Sequence, residues 1–211
     1  MREYPSIMGV SKAPREHCLA FCKYDGSNIR FEWTRKRGWS KFGTRTQLLD
    51  TTHPYLGGAI PIFFNKYACA IEKVVYDTKE YRNADYVTAF AEFFGPNSFA
   101  GMHKQEDPKD LVLFDVQVAK RGFLGPREFI KTFGHLDIAK LIYEGVLNQT
   151  FIDAVRTSLP NDGKLNLNEG VVCKGLERCK DRTYWMCKIK TWDYLGRLKK
   201  MYSDGWEKFW E

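Results

Sequence analysis

The sequence predicts an α+β fold with mainly antiparallel sheets flanked by helices. Short apolar runs typical of strands recur along the chain, at residues 19–23, 29–34, 39–42, 86–94, 111–118, 170–174 and 184–189. Apolar residues at helical spacing occupy residues 60–75, 151–159 and 192–210. Because the two kinds of segment alternate irregularly along the chain, the pattern favours α+β architecture with antiparallel pairing.

The first half of the chain predicts a strand, a hairpin and a helix. The run 19–23 leads into a Lys-Tyr-Asp-Gly sequence that is typical of a strand closing in a tight turn. Residues 29–34 and 39–42 flank a basic turn and predict an antiparallel hairpin. In the segment 60–75, one side of a helix would carry the apolar residues Phe63, Phe64, Tyr67, Ile71 and Val74.

The second half predicts a central strand, a short helix, two further strands and a terminal helix. The run 111–118 is almost continuously apolar, so we expect it in the middle of a sheet. Residues 192–210 carry aromatic residues and leucines at helical spacing. We expect this last helix to pack back on the domain or to meet a partner chain.

Length and composition are those of one globular domain with a short extension. The chain has 211 residues, of which 44% are hydrophobic and 28% charged. Its net charge of +7 favours a polyanionic partner such as nucleic acid. No apolar stretch approaches the roughly 18 residues that span a bilayer. Residues 1–14 lack the apolar run of a signal peptide, so a cytoplasmic location is expected.

Several common catalytic and binding motifs are absent from the sequence. It contains no phosphate-binding P-loop, no dinucleotide-binding glycine motif, no G-x-S-x-G nucleophile and no H-E-x-x-H zinc motif. Its six cysteines include no Cys-x-x-Cys pair. Those at positions 18, 22, 173 and 187 lie in strand-like runs, where we expect small buried thiols and not zinc ligands or disulfides.

The chemistry lies instead in lysines and acids at predicted strand ends. Lys23 follows a buried-looking strand, where partial burial and neighbouring cations would disfavour its ammonium form. A neutral lysine amine is a competent nucleophile. Lys188 and Lys190 lie two residues apart, so a strand would place both ammonium groups on one face. By itself, the Lys23 motif also fits a solvated hairpin turn.

Taken in order, these elements resemble the covalent nucleotidyltransferase superfamily of DNA ligases, RNA ligases and mRNA capping enzymes. The matching elements are Lys23-Tyr24-Asp25-Gly26, Glu92-Phe93-Phe94-Gly95, Phe114-Asp115, Glu169-Gly170-Val171-Val172-Cys173-Lys174 and Lys188-Ile189-Lys190. The RNA-ligase branch is most similar, because Ser27-Asn28 follows the lysine motif. In addition, the segment Phe42-Gly43-Thr44-Arg45-Thr46 resembles the arginine-bearing segment of that branch.

The resemblance implies a nucleotidyltransferase (ATP-grasp-like ligase) domain over residues 1–190. Residues 191–211 would form a C-terminal helical extension, with no second OB or helical domain. The expected protein is a monomer, with a partner chain possible, in the cytoplasm of a bacterium or a phage-infected host cell. A minimal ligase, a partner-dependent ligase and a piece of a longer protein all fit this organisation.

The implied activity is that of an ATP-dependent RNA ligase that joins 3′-hydroxyl and 5′-phosphate ends. Lys23 would carry AMP covalently, while Lys188 and Lys190 would meet the α-phosphate and depress the pKa of Lys23. Glu169 would hold the catalytic Mg²⁺, for which Mn²⁺ can substitute. Asp115 would order the site or contribute to metal binding.

The resemblance also implies which residues hold the nucleotide and the nucleic acid. Asp25, Gly26 and Asn28 would shape the loop around the nucleotide, Glu92 would accept hydrogen bonds from the ribose, and Phe114 would stack on adenine. Arg45 would grip the nucleic-acid backbone. Further contacts with nucleic acid would come from a basic hairpin that flanks Trp33 and Trp39, which would add stacking, and from Lys174. The hairpin residues are Arg35, Lys36, Arg37 and Lys41.

Three other functions fit parts of the same pattern. A minimal ATP-dependent DNA ligase would share every catalytic residue. An mRNA guanylyltransferase would use GTP and would be expected to have a further C-terminal domain. A non-catalytic RNA-binding relative would keep the fold and the basic hairpin but would be expected to lose one or more of the catalytic lysines and Glu169, all of which are present.

Overall fold

A computed structural model of the chain describes residues 3–161, 163–179, 183–203 and 205–206. The strands in chain order are β1 Met8–Gly9, β2 His17–Lys23, β3 Ser27–Thr34, β4 Gly38–Gly43, β5 Leu48–Leu49, β6 Tyr86–Phe94, β7 Asp110–Val118, β8 Gly122–Phe123, β9 Leu141–Val146, β10 Gly170–Arg178 and β11 Tyr184–Lys190. The α-helices are α1 Ala59–Phe63, α2 Cys69–Asp77, α3 Pro126–Phe133, α4 Gln149–Arg156 and α5 Trp192–Tyr202. The predicted α+β class with antiparallel sheets is confirmed.

The chain divides into two compact units, each built on its own sheet. The hairpin unit comprises Met1–Pro5 and Asp25–Ile138, and the lysine unit comprises Ser6–Tyr24 and Ala139–Glu211. The hairpin unit contains a six-stranded antiparallel sheet with strand order β5-β4-β3-β6-β7-β8. The lysine unit contains a five-stranded sheet with order β1-β11-β10-β2-β9, in which only β1 pairs in parallel with its neighbour.

One face of the hairpin unit's sheet packs against helices α1 and α2. Alternation along β3 turns Ile29, Phe31 and Trp33 into this core. The Phe31 ring stacks on Phe63 with ring centroids 3.9 Å apart and an angle of 4° between the planes. The opposite face of β3 therefore carries the polar residues that alternate with these three.

The helix predicted over residues 60–75 is interrupted by a π-helical turn at Phe64–Ala68. Its core positions are Phe63, Tyr67, Ile71 and Val75, which are spaced by four residues. Phe64 was predicted on the apolar side but is 44% exposed, so that prediction is wrong. A π turn contains more residues than an α turn, so it changes which later residues face the core. In this segment every fourth residue faces the core.

In the lysine unit, helix α4 covers one face of the sheet. Its residues Phe151, Ile152 and Val155 pack with residues from β2, β10 and β11, which include Cys18, Val171, Cys173, Cys187 and Ile189. The three cysteines are buried free thiols, as predicted, and Cys22 is half-buried. Because side chains alternate along strands, Lys23, Lys188 and Lys190 belong to the other face of this sheet.

The remaining predictions agree in part with the structure. All seven predicted strands are present, the one over 86–94 with the ends predicted and the others with shifted ends, and the helix over 151–159 is present with shifted ends. The short strands β1, β5 and β8, the strand β9 and the helix α3 were not predicted. The terminal helix begins at Trp192 as predicted but ends at Tyr202, and the predicted helical positions 207–210 lie outside the described residues. Among the helices that the structure describes, none combines the length and apolar character needed to cross a membrane.

A buried tyrosine anchors the helices to β7, the strand that carries Phe114 and Asp115. The Tyr67 hydroxyl donates to the carbonyl oxygens of Leu111 at 2.7 Å and Asp137 at 2.8 Å. We expect Tyr67→Phe to lower the free energy of unfolding by about 0.5–1.5 kcal/mol, because a buried hydrogen bond is lost while Leu111 and Asp137 each keep a second donor. Urea unfolding would measure this loss.

Tyr76→Phe is the matched control for this prediction. Tyr76 lies on α2 and is 49% exposed, so its substitution should change the unfolding free energy by less than about 0.5 kcal/mol. Equal effects of the two substitutions would show that the Tyr67 hydroxyl does not hold the helices on β7.

Candidate functional site

Strand pairing in the lysine unit brings together residues that are far apart in sequence. Lys23 ends β2 and lies opposite Gly170, the first residue of β10. On its other side, Gly170 lies opposite Lys190, the last residue of β11. One row across three adjacent strands therefore contains Lys23, Gly170 and Lys190.

Gly170 permits this row because a side chain has no room there. Its φ of +152° is one that L-residues rarely adopt. A Cβ atom at this position would lie 1.9 Å from the carbonyl oxygen of Ile189. The close approach of β10 and β11 at this point places Glu169, the preceding residue, between the ends of β2 and β11.

The Glu169 carboxylate bridges the two lysines. Its Oε2 atom lies 2.8 Å from Lys23 Nζ, and its Oε1 atom lies 3.4 Å from Lys190 Nζ. The side chains of Glu169 and Lys190 are 4% and 8% exposed, while that of Lys23 is 23% exposed. Lys23 is therefore the member of this group that solvent and ligands reach most easily.

Burial and neighbouring charges both act on Lys190. Its pKa is lowered from the ordinary lysine value because burial disfavours the ammonium form. The negative charge of Glu169 opposes this shift, whereas the positive charges of Lys23 and Lys188 add to it. The Lys190 ammonium also lies 5.2 Å from the centre of the Tyr194 ring. The lowered pKa expected for Lys23 stays a prediction.

Helix α5 begins directly after Lys190 and is tied to the same residues. The Thr191 amide donates to the carbonyl oxygen of Glu169 at 2.9 Å. The Thr191 hydroxyl caps the helix by accepting from the Tyr194 amide at 3.1 Å. Tyr194, Leu195 and Leu198 are buried. The terminal helix therefore packs back on its own unit, which is one of the two arrangements expected from the sequence.

Lys174 lies on the same face of the lysine unit's sheet as Lys188 and Lys190. Strand β10 places it opposite Leu19 and Met186. It is only 5% exposed, and its ammonium lies 5.3 Å from the centre of the Phe21 ring. Lys174 is therefore a buried cation packed on an aromatic ring and not part of an exposed basic surface.

The rest of the predicted nucleotide-binding residues lie in the hairpin unit. Asp25 accepts a hydrogen bond from the Ala100 amide at 2.9 Å, and its carbonyl oxygen accepts from the Ser98 hydroxyl. A Cβ atom on Gly26 would lie 2.3 Å from the carbonyl oxygen of Phe93. Asp25 and Gly26 therefore hold a turn at residues 98–101 against the end of β6.

A bulge in β7 brings Phe114 and Asp115 to the same tyrosine. Asp115 pairs with Phe90 and Leu113 with Ala91, so Phe114 is an extra residue between them. The Tyr4 hydroxyl donates to Asp115 Oδ2 at 2.9 Å. The Tyr4 ring contacts the Phe114 ring edge-on, with centroids 5.1 Å apart.

Tyr4 was not identified from the sequence, because residues 1–14 have no periodic pattern that predicts contact with a sheet. Burial raises its pKa well above the ordinary tyrosine value, and the charges of Asp115 and Glu92 raise it further. Glu92 lies opposite Asn28 in the pairing of β3 with β6. Tyr4 therefore donates to Asp115, which the sequence assigned to metal binding, and feels the charge of Glu92, which the sequence assigned to nucleotide binding.

Arg45 and Asn28 line a common cavity of about 300 Å³ in the hairpin unit. The other lining residues are Tyr4, Ser27, Arg30, Thr44, Thr46 and Phe90. Arg30 was not predicted to belong to the site. Because Arg30 lies between two apolar residues, strand alternation indicates which face of β3 carries its side chain. Alternation does not indicate that this side chain is buried.

The basic hairpin carries exposed cations, but its tryptophans are not available for stacking. Trp33 and Trp39 are 2% and 8% exposed, and Trp39 Nε1 donates to the carbonyl oxygen of Ala68 at 3.3 Å. The predicted base stacking on these rings is therefore wrong, because strand alternation turns both into the core. Arg35 donates to the carbonyl oxygens of Arg82 and Ala84. The other hairpin cations, Lys36, Arg37 and Lys41, are exposed and make no such contact with the described residues.

The carboxylates suit a metal that takes few protein ligands. Among the described residues, no group of three or more His, Cys, Asp or Glu side chains is placed to hold an ion. Glu169 offers one buried carboxylate, which fits Mg²⁺ because that ion usually keeps waters and substrate phosphate oxygens as most of its ligands. Asp115 fits less well, because Tyr4 and the Val116 amide donate to its two oxygens.

Comparison with solved structures finds Naegleria gruberi RNA ligases. The ligase determined with pyrophosphate has a TM-score of 0.65 and 18% identity, and the match covers 95% of this chain and 58% of that one. An apo mutant gives a TM-score of 0.62 at 16% identity and covers 93% and 58%. A mutant determined with ATP and Mn gives 0.57 at 17% identity and covers 87% and 51%. The chain thus spans little more than half the length of these proteins.

The search of curated proteins found no match. The sequence does match the family described as RNA ligase, over residues 17–189. This range includes Lys23, Glu169 and Lys188 and ends one residue before Lys190. With the shared fold and the grouping of the motif residues in the lysine unit, this match shows that the chain belongs to the RNA ligase family.

Proposed function

We propose that this protein is an ATP-dependent RNA ligase that joins a 3′-hydroxyl end to a 5′-phosphate end through AMP held covalently on Lys23. The observation that carries the proposal is the Glu169 carboxylate placed between Lys23 and Lys190. Family membership supports ligase chemistry, and the related structures determined with ATP and Mn or with AMP and Mn support the use of ATP and a divalent cation.

In the proposed first step, Lys23 Nζ attacks the α-phosphorus of ATP. The N–P bond forms, the bond from phosphorus to the pyrophosphate oxygen breaks, and the lysine nitrogen gives up its proton. AMP then passes to the 5′-phosphate of the RNA, and the 3′-hydroxyl displaces it in the last step. In each step the protein mainly positions groups and offsets negative charge. Lys188 and Lys190 are the proposed cations for this purpose.

Glu169 has two opposing effects on the nucleophile. Its carboxylate holds Lys23 in place at 2.8 Å, but its negative charge also favours the ammonium form, which cannot attack. Lys23 must therefore leave this ion pair, or the charge of Glu169 must be offset, before the reaction. We propose Glu169 as the residue that holds Mg²⁺ or Mn²⁺, whose charge would neutralise that carboxylate and the phosphates of ATP.

The hairpin unit supplies the proposed contacts with the nucleotide and the nucleic acid. Glu92 and Phe114 are proposed to bind the ribose and the adenine. Asn28 is proposed to contact phosphate or sugar, while Asp25 and Gly26 hold their loop. We assign Asp115 the role of ordering Tyr4 and Phe114 and not direct metal binding, because its two oxygens already accept hydrogen bonds. The proposed contacts with nucleic acid are the exposed cations Arg45, Arg37 and Lys41. Arg35 and Lys174 are weaker candidates, because Arg35 donates to a backbone carbonyl and Lys174 packs on the Phe21 ring.

Covalent adenylylation tests the proposal directly. We expect intact-mass spectrometry to show the added mass of one AMP after incubation with ATP and Mg²⁺, and no such mass after incubation with GTP. Lys23→Ala should abolish the adduct, because its only proposed attachment point is gone. Lys140→Ala removes an exposed lysine from the same unit and should leave the adduct unchanged. Protein purified with AMP already attached would lose that mass on treatment with pyrophosphate.

A folded protein that gains no adduct from ATP and carries none beforehand would contradict the proposed chemistry. An adduct from GTP alone would identify a guanylyltransferase. Sealing assays on nicked RNA, nicked DNA and RNA–DNA hybrid duplexes then separate RNA ligase from DNA ligase. We expect sealing when RNA flanks the nick, and exclusive sealing of DNA would overturn the RNA assignment.

The role of Glu169 predicts a rate effect that depends on the divalent cation. We expect Glu169→Gln to slow adenylylation by about 10–100-fold at low Mg²⁺, because the amide binds a divalent cation weakly. The loss should become smaller as Mg²⁺ is raised. Glu177→Gln is the matched control, because Glu177 lies on β10, the strand that begins directly after Glu169, but is exposed. A loss of rate in Glu169→Gln that stays the same at every Mg²⁺ concentration would show that Glu169 acts only through the lysines.

A further inference from the structure

Arg30 is a buried cation on β3 whose terminal nitrogens lack a partner in the part of the chain that the structure describes. Only 2% of the residue is exposed. Its Nε atom donates to Glu32 Oε1 at 2.9 Å. Both Nη1 and Nη2 are buried and lack a hydrogen-bond partner among the described residues. One of the five N–H donors of the guanidinium is therefore used, and those on the two terminal nitrogens are not.

Such an arrangement is costly unless a ligand completes it. A buried charged group needs an opposite charge and hydrogen bonds to replace those of water. Glu32 supplies the charge through Nε, but it leaves the terminal fork of the guanidinium unsatisfied. That fork is the part of arginine that binds carboxylates and phosphates through two parallel hydrogen bonds.

The Arg30 side chain lines the cavity described above, which is suited to an anion. Its approximate volume of 300 Å³ is far larger than the roughly 30 Å³ that one water occupies in the liquid. Besides Arg30 and Arg45, the lining includes hydroxyl and amide groups that can donate hydrogen bonds, and it includes no carboxylate. These groups belong to Ser27, Asn28, Thr44 and Thr46, whereas the Tyr4 hydroxyl already donates to Asp115.

The strand beside Arg30 is shaped to leave its guanidinium room. Gly43 on β4 lies directly opposite Arg30 on β3. A Cβ atom at position 43 would lie 2.8 Å from Arg30 Nη2. After Gly43 the Thr44 hydroxyl accepts from the amides of Thr46 and Gln47, which folds this loop and places Arg45 along the cavity.

We propose that this cavity is a phosphate-binding subsite in which Arg30 is the anchoring residue. Its occupant is a phosphate monoester, whose peripheral oxygens can accept from both terminal nitrogens of Arg30 and from the surrounding hydroxyl and amide groups. The proposal rests on the ligase function for the source of that phosphate. The two sources are the 5′-phosphate of the RNA end and the phosphates of ATP.

The test compares binding of a 5′-phosphorylated and a 5′-hydroxyl oligoribonucleotide of identical sequence. The measurements use Lys23→Ala protein, so that no AMP transfer occurs during binding. We expect the parent to prefer the phosphorylated oligonucleotide, and Arg30→Met to reduce this preference by about tenfold or more, because charged hydrogen bonds to the phosphate are lost. Arg37→Met removes one exposed arginine of the hairpin, so it should weaken binding of both oligonucleotides equally.

Parallel titrations with ATP distinguish the two sources of phosphate. If Arg30→Met weakens ATP binding and leaves the preference between oligonucleotides unchanged, the occupant is a phosphate of ATP. If Arg30→Met changes neither, in protein whose circular dichroism matches the parent, the subsite proposal is overturned. The adenylylation assay decides the ligase chemistry separately, so its failure with an intact phosphate preference would contradict the proposed function and not the subsite.

Inorganic phosphate gives a second measurement that needs no catalysis. Phosphate should raise the thermal unfolding temperature of the parent protein more than that of Arg30→Met, because a ligand of the native state stabilises it. If Arg30→Met does not fold, Arg30→Lys takes its place. Its compact ammonium keeps the charge but lacks the two-nitrogen fork, so we expect it to lose most of the preference for the 5′-phosphate. A full preference in Arg30→Lys would reject Arg30 as the anchoring residue.

Discussion

The lysine unit depends on one buried carboxylate that satisfies two lysines. Glu169 lies between Lys23 and Lys190, and its backbone carbonyl also accepts the amide that begins α5. Without this carboxylate, the almost fully buried Lys190 would lack its nearest opposite charge, which is a costly state. Three strands and one helix therefore meet at a single acid, and the glycine beside it lets the strands approach closely enough for the contacts to form.

This arrangement holds the proposed nucleophile in a resting state. A lysine amine attacks only when it is neutral, whereas an ion pair with a carboxylate favours the ammonium. Under the proposed function, positioning and activation are separate: the ion pair with Glu169 positions Lys23, and attack would require a change in the charge around Glu169. A divalent cation and the phosphates of a nucleotide are groups of the right charge to bring about that change.

In the hairpin unit, the face of the sheet opposite the core carries a cation, Arg30, whose hydrogen-bond donors are only partly satisfied. Arg30 has buried donors without a partner among the residues described, whereas both oxygens of Asp115 on a nearby strand accept hydrogen bonds. Buried polar residues whose hydrogen bonds are made within the protein are thus distinguished from those whose hydrogen bonds are not. Asp115 accepts from Tyr4, whose ring contacts Phe114, while Arg30 retains donors that no described residue satisfies. Stability would be better served by an apolar residue at position 30, which is why a binding role explains the arginine.

The sequence by itself determined the α+β class and the main strands, and it predicted Lys23, Lys188, Lys190 and Glu169 as the residues that carry the chemistry. These could be predicted because apolar alternation reports strands locally and because the motif residues occur in a specific order. The sequence could not place the π turn that exposes Phe64. It also left both tryptophans of the hairpin open to stacking, although alternation in a half-buried sheet turns them inward.

Only the tertiary structure decided which groups contact one another. Local sequence shows that Lys23 ends a strand, but the register of β2, β10 and β11 decides that Gly170 lies between Lys23 and Lys190. The local sequence does not mark Tyr4 or Arg30 as important. Tyr4 belongs to a segment without hydrophobic periodicity. Arg30 alternates with apolar residues, as an exposed cation on a half-buried strand also would. Their roles arise from burial and from partners distant along the chain, and these depend on how strands pair, which residue patterns in one strand do not specify.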